Sequence, residues 1–267
     1  MSSIDKLFAD LRRSGRKAFM PFITAGDPDL AATAAVLREL VARGSHLCEL
    51  GIPYSDPIAD GPVIQESYTR ALAHGVRLDQ VFDMLRGLTP SLGAPLLTMV
   101  SYAIVYRRGA ERYVGEARDA GVSGLIVPDL PIEESEPLAR ACGAADLSLV
   151  QLITPTTPPE RARRIAERTT GFIYYVSVAG ITGERTELPR SLVEQLAWLR
   201  EQTPLPICVG FGISRADHVR LLRPVVDGVI VGSAIVRRLA AAADRPIERV
   251  AREVGDYAAE LIGALNE

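Results

Sequence analysis

The sequence is poor in the residues that build metal sites and disulfides. Its three cysteines are an odd number, stand far apart and match no metal-binding spacing. The three histidines are equally scattered, so the sequence predicts no cluster that would bind zinc or another transition metal. We expect Cys48, Cys142 and Cys208 to be buried thiols in a reducing compartment, and we expect no metal ion.

The sequence also lacks a strong charge imbalance and a long apolar run. With 30 basic and 33 acidic residues its formal charge is -3, which provides no general attraction to nucleic acid or to anionic lipid. No apolar stretch reaches the roughly 20 residues of a membrane-spanning helix. A signal peptide is not expected, because Pro21 interrupts an apolar run that is already short. The acidic residues Asp5 and Asp10 argue against a transit peptide. We expect a soluble, cytoplasmic protein that binds neither nucleic acid nor membrane.

What is present is an alternation of short apolar segments with segments of helical periodicity. The apolar segments, interpreted as strands, are residues 18–24, 46–50, 96–102, 122–128, 147–154, 172–177, 207–211 and 229–232. Helical patterns lie between them, for example at 65–73, 111–120, 159–169, 191–202, 216–222 and 247–265. Strands that alternate with helices pair in parallel.

Eight strand–helix units within 267 residues favour a single (β/α)8 TIM barrel of α/β class that spans residues 1–267. An open doubly wound sheet is the alternative. Ile4, Phe8 and Leu11 fall at helical spacing and predict an extra amphipathic helix at about residues 2–13. Two connections are long, residues 51–63 and 178–190, and in a barrel both lie at the C-terminal rim, where active sites are assembled.

Two carboxylates lie at the end of the second apolar segment and in the loop that follows it. Glu49 shares its side of the strand with Leu47, so an inward Leu47 predicts an inward Glu49, and partial dehydration would raise the pKa of that carboxyl. Asp60 lies in the polar loop, where we expect backbone donors to keep it ionised. Two carboxyls in unlike environments suit divided acid and base roles. A helix cap at Glu49 and a turn at Asp60 are the alternative interpretation.

Glycines follow the seventh and eighth apolar segments, at residues 210–214 (Gly-Phe-Gly-Ile-Ser) and 232–235 (Gly-Ser-Ala-Ile). Glycine lets backbone N–H groups approach an anion closely, and the loops after strands seven and eight form the recurrent phosphate site of TIM barrels. Gly183 would add another amide. Neither motif contains lysine or arginine, so we expect recognition by amides. Ordinary turns are the alternative.

The scarcity of lysine restricts the chemistry further. Lys6 and Lys17 are the only lysines and both precede the first strand, so we expect no Schiff base that would stabilise a carbanion. We also expect no metal in that role, because the sequence shows no metal-binding cluster. A substrate whose carbon–carbon bond is broken here must supply its own electron sink, as an indole ring protonated at carbon 3 does. Aromatic residues at strand ends predict a slot for a flat ring, although each alone is ordinary core packing. They are Phe22, Tyr102, Tyr174 and Phe211.

Residues 49–62 (Glu-Leu-Gly-Ile-Pro-Tyr-Ser-Asp-Pro-Ile-Ala-Asp-Gly-Pro) resemble the signature of the tryptophan synthase alpha subunit family. Residues 20–28, 180–183, 210–213 and 232–236 match in the same order, so the resemblance covers essentially the whole chain. It implies a (β/α)8 barrel that splits indole-3-glycerol phosphate into indole and glyceraldehyde 3-phosphate during tryptophan biosynthesis.

The resemblance also implies roles for individual residues. Glu49 would protonate indole carbon 3 and accept the glycerol hydroxyl proton, Asp60 would hydrogen-bond the indole N–H, and Thr182 would close on Asp60 to exclude water. The phosphate would be held by Gly183, Gly212, Gly232 and Ser233, and the ring would be surrounded by Phe22, Tyr102, Tyr174 and Phe211.

The same resemblance implies a pyridoxal phosphate-dependent beta subunit, in an alpha2beta2 complex, that receives the indole. The partner would press on the rim residues Pro53, Asp56, Pro57 and Ile58. We expect no cofactor in this chain itself, because no lysine is suitably placed to carry pyridoxal phosphate. Three alternatives stay open: a stand-alone lyase that releases indole, a phosphosugar isomerase or epimerase that uses both carboxyls, and a non-catalytic activator of a beta subunit.

Overall fold

Eight parallel strands close into a barrel, each hydrogen-bonded to the next in chain order and the last to the first. The structure is a computed structural model and describes residues 2–58, 60–177, 190–210, 212–240 and 245–267. The strands are β1 Ala18–Thr24, β2 Cys48–Gly51, β3 Leu96–Met99, β4 Gly124–Ile126, β5 Ser148–Ile153, β6 Ile173–Val176, β7 Ile207–Gly210 and β8 Gly228–Val231. The predicted TIM barrel is confirmed, and the open sheet is excluded.

Helices cover the outside of the barrel. Among the described residues they are α1 Ser3–Arg13, α2 Leu30–Ala42, α3 Pro62–Ala73, α4 Leu78–Leu92, α5 Tyr102–Arg108, α6 Ala110–Asp119, α7 Glu136–Ala144, α8 Pro159–Arg168, α9 Arg190–Gln202, α10 Ala216–Leu222, α11 Ser233–Ala240 and α12 Ile247–Asn266. A 3-10 turn lies at Ile132–Glu134. Of the helices in the described ranges, none is both long and apolar enough to cross a bilayer.

Alternation along the strands divides the apolar residues into two sets. Outward side chains such as Phe19, Ile23 and Leu50 pack with the surrounding helices in one large core. Inward side chains form a second core, the lumen cluster, which contains Ala18, Met20, Leu47, Leu97, Ile126, Val150, Phe172, Cys208 and Ile230. Leu47 therefore points inward, and the period of two along β2 places Glu49 on the same side, as predicted.

Helix α1 closes the N-terminal end of the barrel. Ser2 and Asp5 form a reciprocal capping box that starts the helix, and the buried side chains of Ile4, Phe8 and Leu11 belong to the lumen cluster. The ring of Phe8 lies 5.5 Å from that of Phe172. The predicted N-terminal helix is confirmed. It leaves the C-terminal end of the barrel as the end where a ligand can enter.

The third predicted strand is too long at its C-terminal end. The third strand, expected to extend to residue 102, ends at Met99, and Tyr102 is the first residue of α5. Two side chains cap that helix: the Ser101 hydroxyl accepts from the Ala103 amide at 3.3 Å, and the Asp129 carboxylate accepts from the Tyr102 amide at 2.7 Å. The apolar run continues through this point because the helix buries Val105, so hydrophobicity alone did not mark the boundary.

Candidate active site

Glu49 lies on β2, paired in register with Phe22 of β1 and Leu97 of β3. Its side chain is 0% exposed, and neither carboxyl oxygen has a hydrogen-bond partner among the described residues. Burial raises the pKa of Glu49 well above its usual value, because an unpaired buried carboxylate loses its hydration without compensation. The raised pKa favours the protonated form of Glu49, which agrees with the expected direction.

Asp60 lies between β2 and α3, where its backbone is fixed by local hydrogen bonds. Its amide donates to the Pro57 carbonyl at 3.1 Å and its carbonyl accepts from Gln65 Nε2 at 2.8 Å. Burial raises the pKa of the Asp60 carboxyl to about 6. The expectation that backbone donors stabilise its charge is wrong for the described part of the chain, where no donor reaches the carboxylate. At pH 7 a group with this pKa is still about nine-tenths ionised.

The two carboxyls have the same kind of environment but differ in the degree of burial. Dehydration raises the pKa of both, and Glu49 is the more deeply buried. Deeper burial favours the protonated acid at Glu49, whereas Asp60, with a pKa of about 6, is mostly ionised at neutral pH.

A cavity of about 350 Å³ opens at the C-terminal end of the barrel beside these groups. Its wall includes Asp60, several apolar and aromatic side chains, and the loops that follow β7 and β8. The lining residues are Phe22, Asp60, Gly61, Pro62, Val63, Ile64, Met99, Tyr174, Gly212, Ile213, Ser214, Ile230, Gly232, Ser233, Ala234 and Arg237. Glu49 is not part of the wall because it is fully buried, and it adjoins the cavity through its register neighbour Phe22.

One end of the cavity is lined by backbone. Gly212 has a φ of 76°, a left-handed conformation that favours glycine, and Gly232 leads into α11, which starts at Ser233. The free N–H groups at a helix start attract anions. Gly210 is required for a different reason: a Cβ there would lie 2.4 Å from the Tyr174 hydroxyl. Gly212, Gly232 and Ser233, which follow the two expected strands, therefore line the cavity, and their role in binding phosphate stays a prediction.

The cavity brings together most of the predicted site residues that the structure describes. The cavity is lined by Phe22, Asp60 and Tyr174, and by three residues predicted to hold the phosphate, Gly212, Gly232 and Ser233. Tyr102 does not, because it begins α5 and packs against the outer core, with its ring 6.1 Å from that of Tyr106. The predicted residues Thr182, Gly183 and Phe211 lie outside the described residues.

Sequence reasoning missed two tyrosines that flank Asp60. The rings of Tyr54 and Tyr68 contact each other at a tilt of 54°, with centroids 5.6 Å apart. Tyr68 is 1% exposed and belongs to a cluster that includes Phe22. Burial, with the nearby Asp60 carboxylate, raises the pKa of Tyr54 to about 12. Both phenols therefore stay protonated. The available signal was an aromatic residue on either side of an aspartate, in the loop and on the helix that follows it.

A third missed residue is Arg237, which lines the phosphate end of the cavity. The prediction of a site without cations considered only the two glycine motifs. Helical periodicity was the signal that could have found it, because Arg237 follows Ser233 by one turn of α11.

An ion pair fixes α3 against the first loop of the barrel. Arg70 of α3 donates from Nε and Nη2 to the two carboxylate oxygens of Asp27, at 3.0 and 2.7 Å. Asp27 is buried, and a two-pronged guanidinium–carboxylate contact holds its geometry well. Because α3 follows Asp60 directly, this contact anchors the loop that carries the carboxyl.

Neither lysine is placed for covalent chemistry in the cavity. Lys17 directly precedes β1 and donates to the Val226 carbonyl at the N-terminal end of the barrel, and Lys6 lies on α1. Over the described ranges, histidine, cysteine, aspartate and glutamate side chains form no group of three or more that would hold a metal ion.

Comparison with known proteins gives one consistent match. The family model of the tryptophan synthase alpha chain matches residues 8–261. The tryptophan synthase alpha chain of Rhodopirellula baltica is 52% identical over 276 residues, covering 100% of this chain and 99% of the relative.

Solved structures agree. Tryptophan synthase subunit alpha from Legionella pneumophila superposes with a TM-score of 0.90 at 33% identity, over 99% of this chain and 98% of the other. A chain of Mycobacterium tuberculosis tryptophan synthase superposes with a TM-score of 0.88 at 29% identity, over 100% and 99% of the two chains. The barrel, the buried glutamate beside an aromatic cavity and these full-length matches lead to one conclusion: the chain belongs to the tryptophan synthase alpha chain family, lyases of tryptophan biosynthesis that cleave indole-3-glycerol phosphate.

Proposed function

We propose that Glu49 and Asp60 carry out this cleavage without a cofactor in the chain. The observation that carries the proposal is a fully buried glutamate that has no hydrogen-bond partner among the described residues. It lies next to a cavity lined by aromatic side chains and by the glycine loops after β7 and β8. The aromatic side chains suit the indole ring, and the backbone amides of the glycine loops suit the phosphate. The cavity volume of about 350 Å³ lies in the range of small-molecule sites.

The reaction divides into two proton transfers at Glu49. The neutral acid first protonates carbon 3 of the indole, which places a positive charge on the ring nitrogen. The resulting Glu49 carboxylate then takes the proton of the glycerol hydroxyl next to the ring. The carbon–carbon bond breaks, its electron pair returns to the ring, and indole and an aldehyde are released. One group serves as acid and then as base, so no net proton is consumed.

Asp60 stabilises the charged intermediate. Its ionised carboxylate accepts a hydrogen bond from the indole N–H, and the interaction strengthens when the ring becomes positive. Interactions that strengthen toward the transition state are those that accelerate the reaction. Thr182 would close on Asp60, while Gly183, Gly212, Gly232 and Ser233 would hold the phosphate. Phe22, Tyr174 and Phe211 would contact the ring.

We further propose that the chain works with a beta subunit in an alpha2beta2 complex in the cytoplasm, and that pyridoxal phosphate binds only to that partner. A chain of similar fold was solved within Mycobacterium tuberculosis tryptophan synthase. In this chain Ile58 is 91% exposed and Tyr106 is 75% exposed. Both follow strands at the C-terminal end of the barrel, and exposed apolar groups of this kind typify interaction sites. The positions of Lys6 and Lys17 support the absence of pyridoxal phosphate here.

The test is an indole-release assay on indole-3-glycerol phosphate with and without added beta subunit. We expect indole and glyceraldehyde 3-phosphate in equal amounts, and faster turnover when the beta subunit is present. Absence of indole under both conditions would contradict the lyase assignment. Rapid release that the beta subunit does not change would contradict the partnered role.

A further inference from the structure

The phosphate end of the cavity has an unmatched requirement for charge. A phosphate monoester carries nearly two negative charges at pH 7, whereas Gly212, Gly232 and Ser233 provide only amides, a hydroxyl and the start of a short helix. Among the described residues of the cavity wall, Asp60 is the one acidic side chain, and it is itself mostly negative at this pH. A cation near the phosphate would therefore contribute directly to binding.

Arg237 is placed to supply that charge. It lies on α11 four residues after Ser233, a spacing that puts the two side chains on the same face of the helix. Both residues line the cavity. Arg237 is exposed, so its guanidinium is accessible to an anion that enters the cavity.

The hydrogen-bonding capacity of the Arg237 guanidinium is not used by the residues that the structure describes. Within the described ranges it makes no hydrogen bond or ion pair, although nearby arginines do. The adjacent Arg238 donates to the Ala234 carbonyl at 2.9 Å and lies 3.6 Å from the ring centroid of Tyr257. Tyr257 in turn donates to the Ser214 carbonyl at 2.9 Å, so Arg238 supports the loop after β7, whereas Arg237 is free to contact a ligand.

We propose that Arg237 binds the phosphate group of the substrate and is the cationic element of an otherwise amide-lined site. This inference rests on the proposed function, because it concerns the phosphate of the same substrate. Arginine suits the role because its planar guanidinium can donate two parallel hydrogen bonds to phosphate oxygens. Arg237 acts on binding and orientation and takes no part in proton transfer.

The experiment compares two ligands that differ only in the phosphate, indole-3-propanol phosphate and indole-3-propanol. Their dissociation constants are measured by calorimetry for wild type, Arg237→Ala, Arg237→Lys and the control Arg252→Ala. Arg252 is an exposed arginine of α12 that does not line the cavity. The control removes the same charge from a different helix.

We expect Arg237→Ala to bind the phosphate ligand about threefold to tenfold more weakly, and the ligand without phosphate equally well. Arg237→Lys should recover part of the loss, since it keeps the charge but not the paired donors. Arg252→Ala should match wild type. Added salt should weaken the binding of the phosphate ligand more in wild type than in Arg237→Ala, because salt screens the guanidinium.

Two results would overturn the proposal: equal affinity of wild type and Arg237→Ala for the phosphate ligand, or an equal loss for both ligands. Thermal melting of each variant identifies a general loss of fold. The proposed function fails separately, if wild type binds indole-3-propanol phosphate but forms no indole from indole-3-glycerol phosphate. Failure of wild type to bind the phosphate ligand would contradict both.

Discussion

At the scale of single residues, the site depends on where two carboxyls lose water. Alternation along β2 predicted that Glu49 points inward, and the lumen position of Leu47 confirms it. The sequence did not predict that Glu49 would be without any partner in the described barrel, because satisfaction of a buried group depends on every strand around it. The pKa of Asp60 was misjudged for a similar reason, since loop composition does not reveal how far a loop is covered.

The buried acid has a consequence for stability. In the unfolded chain Glu49 has its usual pKa, whereas in the folded protein its pKa is raised. At pH values between these two pKa values the folded protein binds more protons than the unfolded chain, so the free energy of unfolding falls as pH rises. We expect Glu49→Gln, which cannot ionise, to become more stable relative to wild type as pH increases from 4 to 8. The free energy of unfolding should change by about 1.4 kcal/mol for each unit of pKa shift that is titrated, and the melting temperature should rise with it. Melting curves across this range measure it. A constant difference would show that Glu49 is not held neutral.

The raised pKa of Asp60 makes a prediction about turnover. Only the ionised carboxylate stabilises a positive indole, so kcat/KM should fall on the acid side with an apparent pKa of about 6. Asp60→Asn should lose this acid limb and about a hundredfold in kcat/KM. Rates from pH 5 to 8 test it, with Asp83→Asn, an exposed residue of α4, as the control. An unchanged limb near pH 6 in Asp60→Asn would assign it to another group.

At the scale of elements, the boundaries that were predicted well are those set by hydrophobic period. Helix α1 was predicted from its apolar stripe alone, and the structure adds a capping box at its start. The end of β3 was not predicted, because the cap of α5 depends on Asp129, 27 residues further along the chain. Side chains distant in sequence decide such boundaries, so a local pattern cannot reveal them.

The contact between β6 and β7 makes one element-scale prediction. Val176 and Gly210 pair in register, and a Cβ on Gly210 would lie 2.4 Å from the Tyr174 hydroxyl. We expect Gly210→Ala to displace the Tyr174 ring and to lower kcat/KM about tenfold or more, because misplaced groups in a site lose rate steeply. The control is Gly87→Ala on α4, where a Cβ meets nothing within 4 Å. Equal kinetics for both variants would show that the ring position is unimportant.

At the scale of the whole molecule, the two ends of the barrel have different tasks. Helix α1 closes the N-terminal end, and the C-terminal end carries the carboxyls, the cavity and the exposed rim residues. The chain order of the strands was predictable, because each strand–helix unit places the next strand beside the last. The shared cavity was not fully predictable: Arg237, Tyr54 and Tyr68 reach it or its border through tertiary packing. Membership of the alpha chain family does not favour the isomerase, the non-catalytic or the stand-alone alternative.

The role of Glu49 as the acid and base is tested most directly by measuring indole formation by Glu49→Gln. The glutamine keeps the shape of the side chain and cannot donate or accept the proton, so we expect the rate from indole-3-glycerol phosphate to fall at least about a thousandfold, with or without beta subunit. Binding of indole-3-propanol phosphate should stay within about twofold of wild type, which shows an intact cavity. Indole release at a rate close to that of wild type would contradict the assignment of Glu49 as the acid and base of this barrel.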